Sequence, residues 1–562
     1  MVNLLIGGAA GQGIETTAAI LQKLFKNLGY YVFSTRDFMS RVRGGHNFAL
    51  LRISTEPVFS HSNELDGLIA FNEESIGFHI TELKKDGFIL CDAGWNSEDP
   101  RTIAIEMTAI AKELGNPRAV GSVVIGTILK LFAGVPEDAD RVLQEYIKEQ
   151  YLEVNKKAVL RGYELTEPRF PAVDKQGEEM LILSGTQALC LGAIAAGIKF
   201  YSAYPMSPST TILEFLASRS DEAGIVVEQA EDEIAAINMA IGASFAGVPA
   251  MTGTSGGGFS LKVEALGLSG MAEIPLVVVD VQRPGPVTGL PTRTEQSDLK
   301  FVISASQGEF PRMVIALRNH SDAFYQTARA FHIAYKYQIP VILLSDQYLG
   351  DSYATVRPYD LSEVSEVKLP NVPEIKEGEY LRYRYTEDGI SPRLIPGKTR
   401  NFVTSDSDEH DEYGRIIEDS DTRIRMMDKR LRKLEGLEKE LKEPEYIGPE
   451  AASDESLDIL FVGWGSTDGS IREAIGLLNK TGSGRCGALI FGDIYPLPRK
   501  LLLQYAPLAK EIINVEQNAT GQLGSLIREQ TGIACDRSVL KYDGRQISAK
   551  EIVSRMGKGE VR

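Results

Sequence analysis

The sequence predicts an α/β protein of three α/β units, with an extended arm between the last two. Three observations carry this. The chain opens as strand, glycine turn, helix and strand, "NLLIGG", "GGAAGQG", "IETTAAILQKLFKNLG" and "YVFST", the order of a parallel α/β sheet. Later runs such as "PLVVVDV" are apolar without alternation, as in strands covered on both faces. And 562 residues are too many for one core.

The first unit spans 1–170. After the opening strands come "FALLRIS", "GLIAF" and "GFILCD", then helical stretches from about 104 to 162. The polar, proline-bearing "ELTEPRFPAVDKQGEE" reads as a linker. The second unit, 178–350, runs from "MLILSGTQALC" through "VPAMTGTSGGGFS" and "IPLVVVDVQRPGPVTG" to "IPVILLSD". Between 351 and 455 the composition shifts. "TSDSDEHDEYGRIIEDSD" is acidic, and "RIRMMDKRLRKLEGLEKELKEP" is an amphipathic helix with Ile424, Met427, Leu431, Leu434 and Leu441 on one side. This is the arm. His410, among acids, is read as part of a solvated loop rather than a metal ligand. The last unit, 456–562, carries "LDILFVGWGS", "GALIFGD" and "EIINVEQN".

Hydrophobic content of 43% and charged content of 24% place the chain among globular proteins. A net charge of -17 argues against nucleic acid or an anionic membrane as main partner. The start lacks a charged region and cleavage site of signal-peptide type, and no apolar run reaches membrane-spanning length. Cys91, Cys190, Cys486 and Cys535 are scattered, with neither iron–sulfur nor disulfide-framework spacing. A cytoplasmic protein is expected.

The stretch "VVEQAEDEIAAINMAIGASFAG", 226–247, sets Glu228, Glu231, Asp232 and Glu233 at the start of a helix that is then apolar on every face, the pattern of a buried helix. Acidic residues suit any helix N-terminus. Glu233 fits that account least, because it shares a stripe with Ile237, Ala240 and Ile241 and is expected to point inward.

Other candidates lie in loops. "GGAAGQG" between strand and helix suits a phosphate held on backbone N–H groups, or a tight structural turn. Its spacing departs from the dinucleotide fingerprint, and Asp37 comes too early for that motif's acidic residue. "SRVRGGHN" adds Arg41 and Arg43, suited to a phosphorylated ligand or a charged interface. "GTSGG" matches GxSxG and proposes a hydrolase nucleophile at Ser255, with His320, His332 or His410 as base. A backbone bend toward a bound cofactor is the better reading. "YPMSPST" and "VQRPGPVTGLPTRTEQSDL" follow strands, where open α/β sheets bind ligands. Arg283 or Arg293 there suits a substrate carboxylate.

Taken together, "GGAAGQGIETTA", "RVRGGHNFALLRIS", "YPMSPST", "EDEIAAINMAIGASFAG", "TGTSGGG" and "VQRPGPVTGLPTRTEQSDL" resemble the 2-oxoacid:ferredoxin oxidoreductases. The resemblance is to the α subunit with a γ-type domain fused at its N-terminus. It implies a γ-type domain, a thiamine-diphosphate pyrimidine-binding domain and a transketolase-C-like domain. It implies oxidative decarboxylation of a 2-oxoacid, 2-oxoglutarate favoured, to acyl-CoA with reduction of ferredoxin. It also implies a buried glutamate that hydrogen-bonds the cofactor's aminopyrimidine ring. Glu233 matches that position by its distance from "IGA", and Glu231 is the fallback. Tyr204, Pro205, Met206, Thr254, Ser255 and Gly256 are then expected at thiamine diphosphate, and Ser207 and Arg283 at the substrate. Gly8, Gly11, Gln12, Gly13 and Arg43 are expected at coenzyme A. The pattern for the cofactor's metal–diphosphate end is missing. No metal is therefore expected on this chain, and Mg²⁺, the diphosphate cradle and a [4Fe-4S] cluster are expected on a β subunit, in a dimer of αβ heterodimers. The family's Ile-Thr after "YP" is Met206-Ser207 here, which bears on substrate choice. Two other readings stand beside this one: the Ser255 hydrolase and a non-catalytic scaffold subunit.

Overall fold

The computed structural model describes residues 1–39, 45–95, 98–172, 179–369, 375–376, 378–449, 456–482 and 484–557. It is a mixed α/β protein with three sheets. They are distributed over two compact units.

The first unit comprises Met1–Ser184, Asp351–Pro358 and Ser548–Lys550. Its sheet has eight strands. Val2–Ala9 pairs in parallel with Leu65–Ala70, which continues in parallel to Leu83–Asp92 and Thr102–Ile105. The expected parallel neighbour of the opening strand, Tyr31–Asp37, lies one place further away. His46–Ser54 is inserted between the two, antiparallel to both. The connection from Tyr31–Asp37 to His46–Ser54 is too short for a crossover, so the pair closes as a hairpin. Beyond this hairpin lie Tyr353–Val356 and Leu181–Ser184, both antiparallel. The sequence reading assigned these segments to the arm and the second unit. The open edge of Tyr31–Asp37 attracts them, with Val32 N donating to Thr355 Oγ1 at 3.0 Å. Helices Val120–Leu131 and Glu149–Tyr163 pack against each other through glycines. A Cβ on Gly126 would lie 1.9 Å from Val159 O, and one on Gly162 would lie 2.0 Å from Val123 O.

The second unit comprises Gly185–Gly350, Tyr359–Ile547 and Glu551–Arg562. Its larger sheet orders Val226–Gln229, Phe200–Ala203, Ala250–Thr254, Leu276–Gln282, Pro340–Asp346 and Met313–Ala316, all parallel. Every residue of Leu276–Gln282 and Pro340–Asp346 is buried, as unbroken apolar runs require. The far edge is closed by Asp493–Tyr495, antiparallel to Met313–Ala316. The smaller sheet joins Glu445–Ile447, Cys486–Phe491, Leu457–Trp464, Ala509–Glu516 and Arg537–Leu540. Phe259 and Val278 share one apolar cluster with Trp464, Phe491 and Leu523, so the two sheets have a common core.

The arm keeps its sequence pattern only in part, with Leu434 and Leu441 packed against the core. Helix Ser420–Leu437 buries Met426, Lys429, Arg430, Lys433 and Leu437, while Ile424 is 58% exposed. The reason is a fully buried carboxylate, Glu273. Lys429 Nζ lies 2.5 Å and Lys433 Nζ 2.6 Å from its two oxygens, and Arg382 donates to its main-chain O at 2.8 Å. Burial pulls the Glu273 carboxyl upward, yet the two ammonium groups hold it well below the usual range. Charge pairing thus overrides periodicity, because an unpaired buried charge is costly. The acidic segment is anchored too. Arg430 donates to both oxygens of Glu409 at 2.9 and 2.7 Å. His410, expected in a solvated loop, is fully buried with its ring 4.0 Å from that of Tyr383.

Candidate active site

The four carboxylates of 226–247 have separate fates. Glu228 and Glu231 are exposed. Asp232 caps helix Glu233–Phe245, accepting from Ala235 N at 2.7 Å. Glu233 turns inward and is 4% exposed, and its Oε1 is buried with no hydrogen-bond partner. An orphaned buried oxygen costs about 1–3 kcal/mol, which marks a position built to meet something else. The helix is not apolar-buried all round, as its sequence suggested. Ile234 is 51% and Met239 36% exposed within this chain.

The wall facing Glu233 is glycine. Strand Ala250–Thr254 ends at Thr254, Ser255 takes the extended cap position, and helix Gly256–Met271 starts with three glycines. A Cβ on Gly258 would lie 2.1 Å from Thr254 Oγ1 and 2.7 Å from Glu233 Oε1, so only glycine leaves room for that carboxylate. Thr254 and Ser255 are fully buried, and Ser255 Oγ has no hydrogen-bond partner. No described histidine therefore bonds Ser255. His332 Nε2 sits at Ser365 O and His410 Nδ1 at Asp408 O. The hydrolase reading fails on that ground.

The loop after Phe200–Ala203 comes to the same place. Met206 Sδ lies 3.9 Å from Thr254 Oγ1, and Ser209 Oγ donates to Met206 O at 2.7 Å. Tyr204 is 40% exposed. Arg283 is buried and donates to Ser207 O at 2.5 Å, while its Nε lacks a partner. The two expected substrate contacts are thus neighbours.

Two carboxyls behind this loop escaped the sequence reading. Asp280 is fully buried. Burial, and then the facing Asp298 carboxyl, push its pKa far above the usual range. Asp298 is pushed up to about 6 by burial, with Asp280 and Arg283 opposing. A Cβ on Gly256 would lie 2.5 Å from Asp298 Oδ2. The only sequence signal was an aspartate inside the apolar run "PLVVVDV".

In the first unit the turn "GGAAGQG" lies between two cavities. Gly11 (φ 92°) and Gly13 (φ 85°) occupy the left-handed region that favours glycine. Gln12 braces the turn, accepting from Ala9 N at 2.6 Å and donating to Phe71 O at 3.0 Å. Gly8 makes room for it, since a Cβ there would lie 2.7 Å from Gln12 Oε1. One cavity, about 470 Å³, is lined by Gly11, Gly13, Arg36, Phe38 and Asn47. The other, about 450 Å³, is lined by Gly11, Gly13, Trp95, Met107 and Arg118. Arg36, paired with Asp351 at 3.2 Å, is a cation the sequence reading passed over at the end of "YVFSTR". Arg43 lies outside the described residues. Among the described residues, no group of three or more His, Cys, Asp or Glu side chains is gathered to hold a metal, and no helix is long and apolar enough to cross a membrane.

This fold and site define a subunit of the thiamine-dependent 2-oxoacid oxidoreductase class. Residues 191–429 match the family described as pyruvate flavodoxin/ferredoxin oxidoreductase, thiamine diphosphate binding, and residues 3–165 match pyruvate ferredoxin/flavodoxin oxidoreductase. The 2-oxoacid:ferredoxin oxidoreductase subunit alpha of Sulfolobus sp is 33% identical, over 98% of this chain and 95% of its own length. The 2-oxoglutarate synthase subunit KorA of Archaeoglobus fulgidus is 31% identical, over 67% of this chain and 98% of its own. The 2-oxoglutarate:ferredoxin oxidoreductase structure from Magnetococcus marinus, with 2-oxoglutarate, coenzyme A and succinyl-CoA bound, superposes with a TM-score of 0.92. It is 30% identical and covers 99% of both chains. The chain belongs to the 2-oxoacid:ferredoxin oxidoreductase family.

Proposed function

We propose that this chain is the α subunit, with fused γ domain, of an enzyme that oxidatively decarboxylates a 2-oxoacid with coenzyme A. The products are acyl-CoA and CO₂, and the electrons pass to ferredoxin. The 2-oxoglutarate and coenzyme A bound in the Magnetococcus marinus relative support those substrates. The observation that carries the reading is the buried, unpartnered Oε1 of Glu233 facing a glycine wall.

Those residues fit thiamine diphosphate. Its aminopyrimidine ring offers the donor that Glu233 Oε1 lacks, and Gly256–Gly258 leave a flat approach. Tyr204, Pro205, Met206, Thr254, Ser255 and Gly256 would line the cofactor. When bound, it supplies the electron sink for decarboxylation. Glu233 holds a proton, or gives it up, at Oε1. Ser207 and Arg283 orient the substrate carboxylate or 2-oxo group, the free Nε of Arg283 adding a donor. Mg²⁺, the diphosphate cradle and a [4Fe-4S] cluster are assigned to the β subunit, in a cytoplasmic dimer of αβ heterodimers. Coenzyme A is assigned to the cavities beside Gly11 and Gly13. Gly8 and Gln12 shape that turn, and Arg43 is proposed as a further contact for the same ligand. The cavities have the volume of small-molecule sites, typically about 300–1,000 Å³.

The test is Glu233→Gln in the assembled complex, assayed with a panel of 2-oxoacids. General acid–base loss of roughly 10²–10⁴-fold is expected, with assembly intact. Normal turnover in this variant and in Glu231→Gln would return the chain to the scaffold reading.

A further inference from the structure

One charged group beside Glu233 has no part in that scheme. Lys262 lies one turn beyond Gly258 on helix Gly256–Met271 and is fully buried. Buried lysines almost always have an anionic partner. This one has none by direct contact among the described residues. Its Nζ donates to Thr252 Oγ1 at 2.9 Å and to the main-chain O of Glu233 at 3.2 Å. Thr252 Oγ1 gives its own proton to Ser202 O at 2.7 Å, so it accepts from the lysine. Two neutral acceptors match the two N–H groups of an uncharged amine. The charged groups facing it are the carboxylates of Glu233 and Asp232, both attractive, while strand Ala250–Thr254 presents Thr252 only. Burial dominates and lowers the amine to about 7.

We propose that Lys262 is a positioning residue, whose amine ties the main chain of Glu233 to strand Ala250–Thr254 and whose own protonation sets the local charge beside that residue. The proposal rests on the reading of Glu233 given above and adds a proton-linked partner to it.

The test compares Lys262→Met and Lys262→Gln in the full chain with its partner subunit. Methionine keeps most of the length and loses both hydrogen bonds. Glutamine keeps a donor and cannot titrate. A first readout needs no cofactor: the thermal midpoint against pH, without thiamine diphosphate. The native pKa lies below the unfolded value, so the unfolded state binds the extra proton between them, and stability rises with pH across that window. This rise, from about pH 7 upward, is expected in the wild type and lost in both variants. The second readout is turnover against pH. Lys262→Met is expected to lose about 10²-fold through misplacement of Glu233, with Lys262→Gln recovering most of it. The inflection near neutral pH is expected to vanish in both. Unchanged thermal slope and an unchanged pH profile in the variants would overturn the proposal. Should Lys262→Met fail to fold, the two pH readouts on Lys262→Gln decide. A lost thermal slope combined with normal turnover of Glu233→Gln would instead refute the role given to Glu233 while leaving the titration of Lys262 standing.

Discussion

Gly258→Ala separates the stability of this site from its chemistry. Alanine in place of a helical glycine gains about 0.5–1 kcal/mol. Against this, the new Cβ would lie 2.1 Å from Thr254 Oγ1 and 2.7 Å from Glu233 Oε1, inside van der Waals distance of both. Thr254 is short, β-branched and buried at a strand end, so it yields little. Glu233 ends three rotatable bonds away from its backbone and yields readily. Overpacking of this kind costs about 1–3 kcal/mol. The net loss is therefore roughly 0–2.5 kcal/mol, within the margin of about 5–15 kcal/mol that domains hold. The displaced atom, however, is the one proposed above to meet the cofactor, and a shift on the order of 1 Å costs about 10²-fold in rate. Thermal melts and 2-oxoacid turnover of the assembled complex measure the two effects side by side. Gly476→Ala is the control, in helix Asp468–Lys480 with nothing within 4 Å of the new Cβ, and it should gain stability at full activity. Wild-type turnover in a folded Gly258→Ala complex would refute the argument.

Glu273→Gln should destabilise by about 3–5 kcal/mol, because Lys429 and Lys433 are left buried without their counter-ion, and chemical denaturation reads this directly. Since the Glu273 carboxyl is depressed, its contribution is complete above the unfolded value of about 4.3. It is lost only as pH falls through the depressed native value, so the penalty should be constant through the neutral range. Gly11→Val meets open space but a positive φ of 92°. Backbone strain of roughly 1–2 kcal/mol should distort the turn and raise the KM for coenzyme A, while decarboxylation in a coenzyme A-independent assay persists. Unchanged kinetics would assign the turn to structure alone.

Strands buried on both faces were legible because their apolar runs leave no polar side. The inward turn of Glu233 was legible because it interrupts an apolar stripe. The inserted hairpin was not, since the order strand–helix–strand says nothing about which strand lies between. The inward face of Ser420–Leu437 was legible only in part: Leu434 and, just past the helix end, Leu441 pack against the core, but periodicity ranks hydrophobicity and cannot see that Glu273, far away in sequence, requires two lysines. Lys262 was visible in "GGFSLKVEALG" as a cation on an otherwise apolar face. Its meaning needed the distances to Thr252 and Glu233. The Asp280–Asp298 pair likewise depends on two segments meeting.

Strand Asp493–Tyr495, which closes the edge beside Met313–Ala316, also bears on synthesis. Val314 waits for Tyr495, so throughout translation of the intervening segment an apolar strand has unpaired N–H and C=O groups on one side. Such an edge is a template for association with another chain. The nascent protein is exposed to that hazard until Asp493–Tyr495 is made. A product truncated within the acidic segment would keep Glu233, Gly258 and Arg283 yet present this sticky edge, and its expected fate is aggregation rather than partial activity.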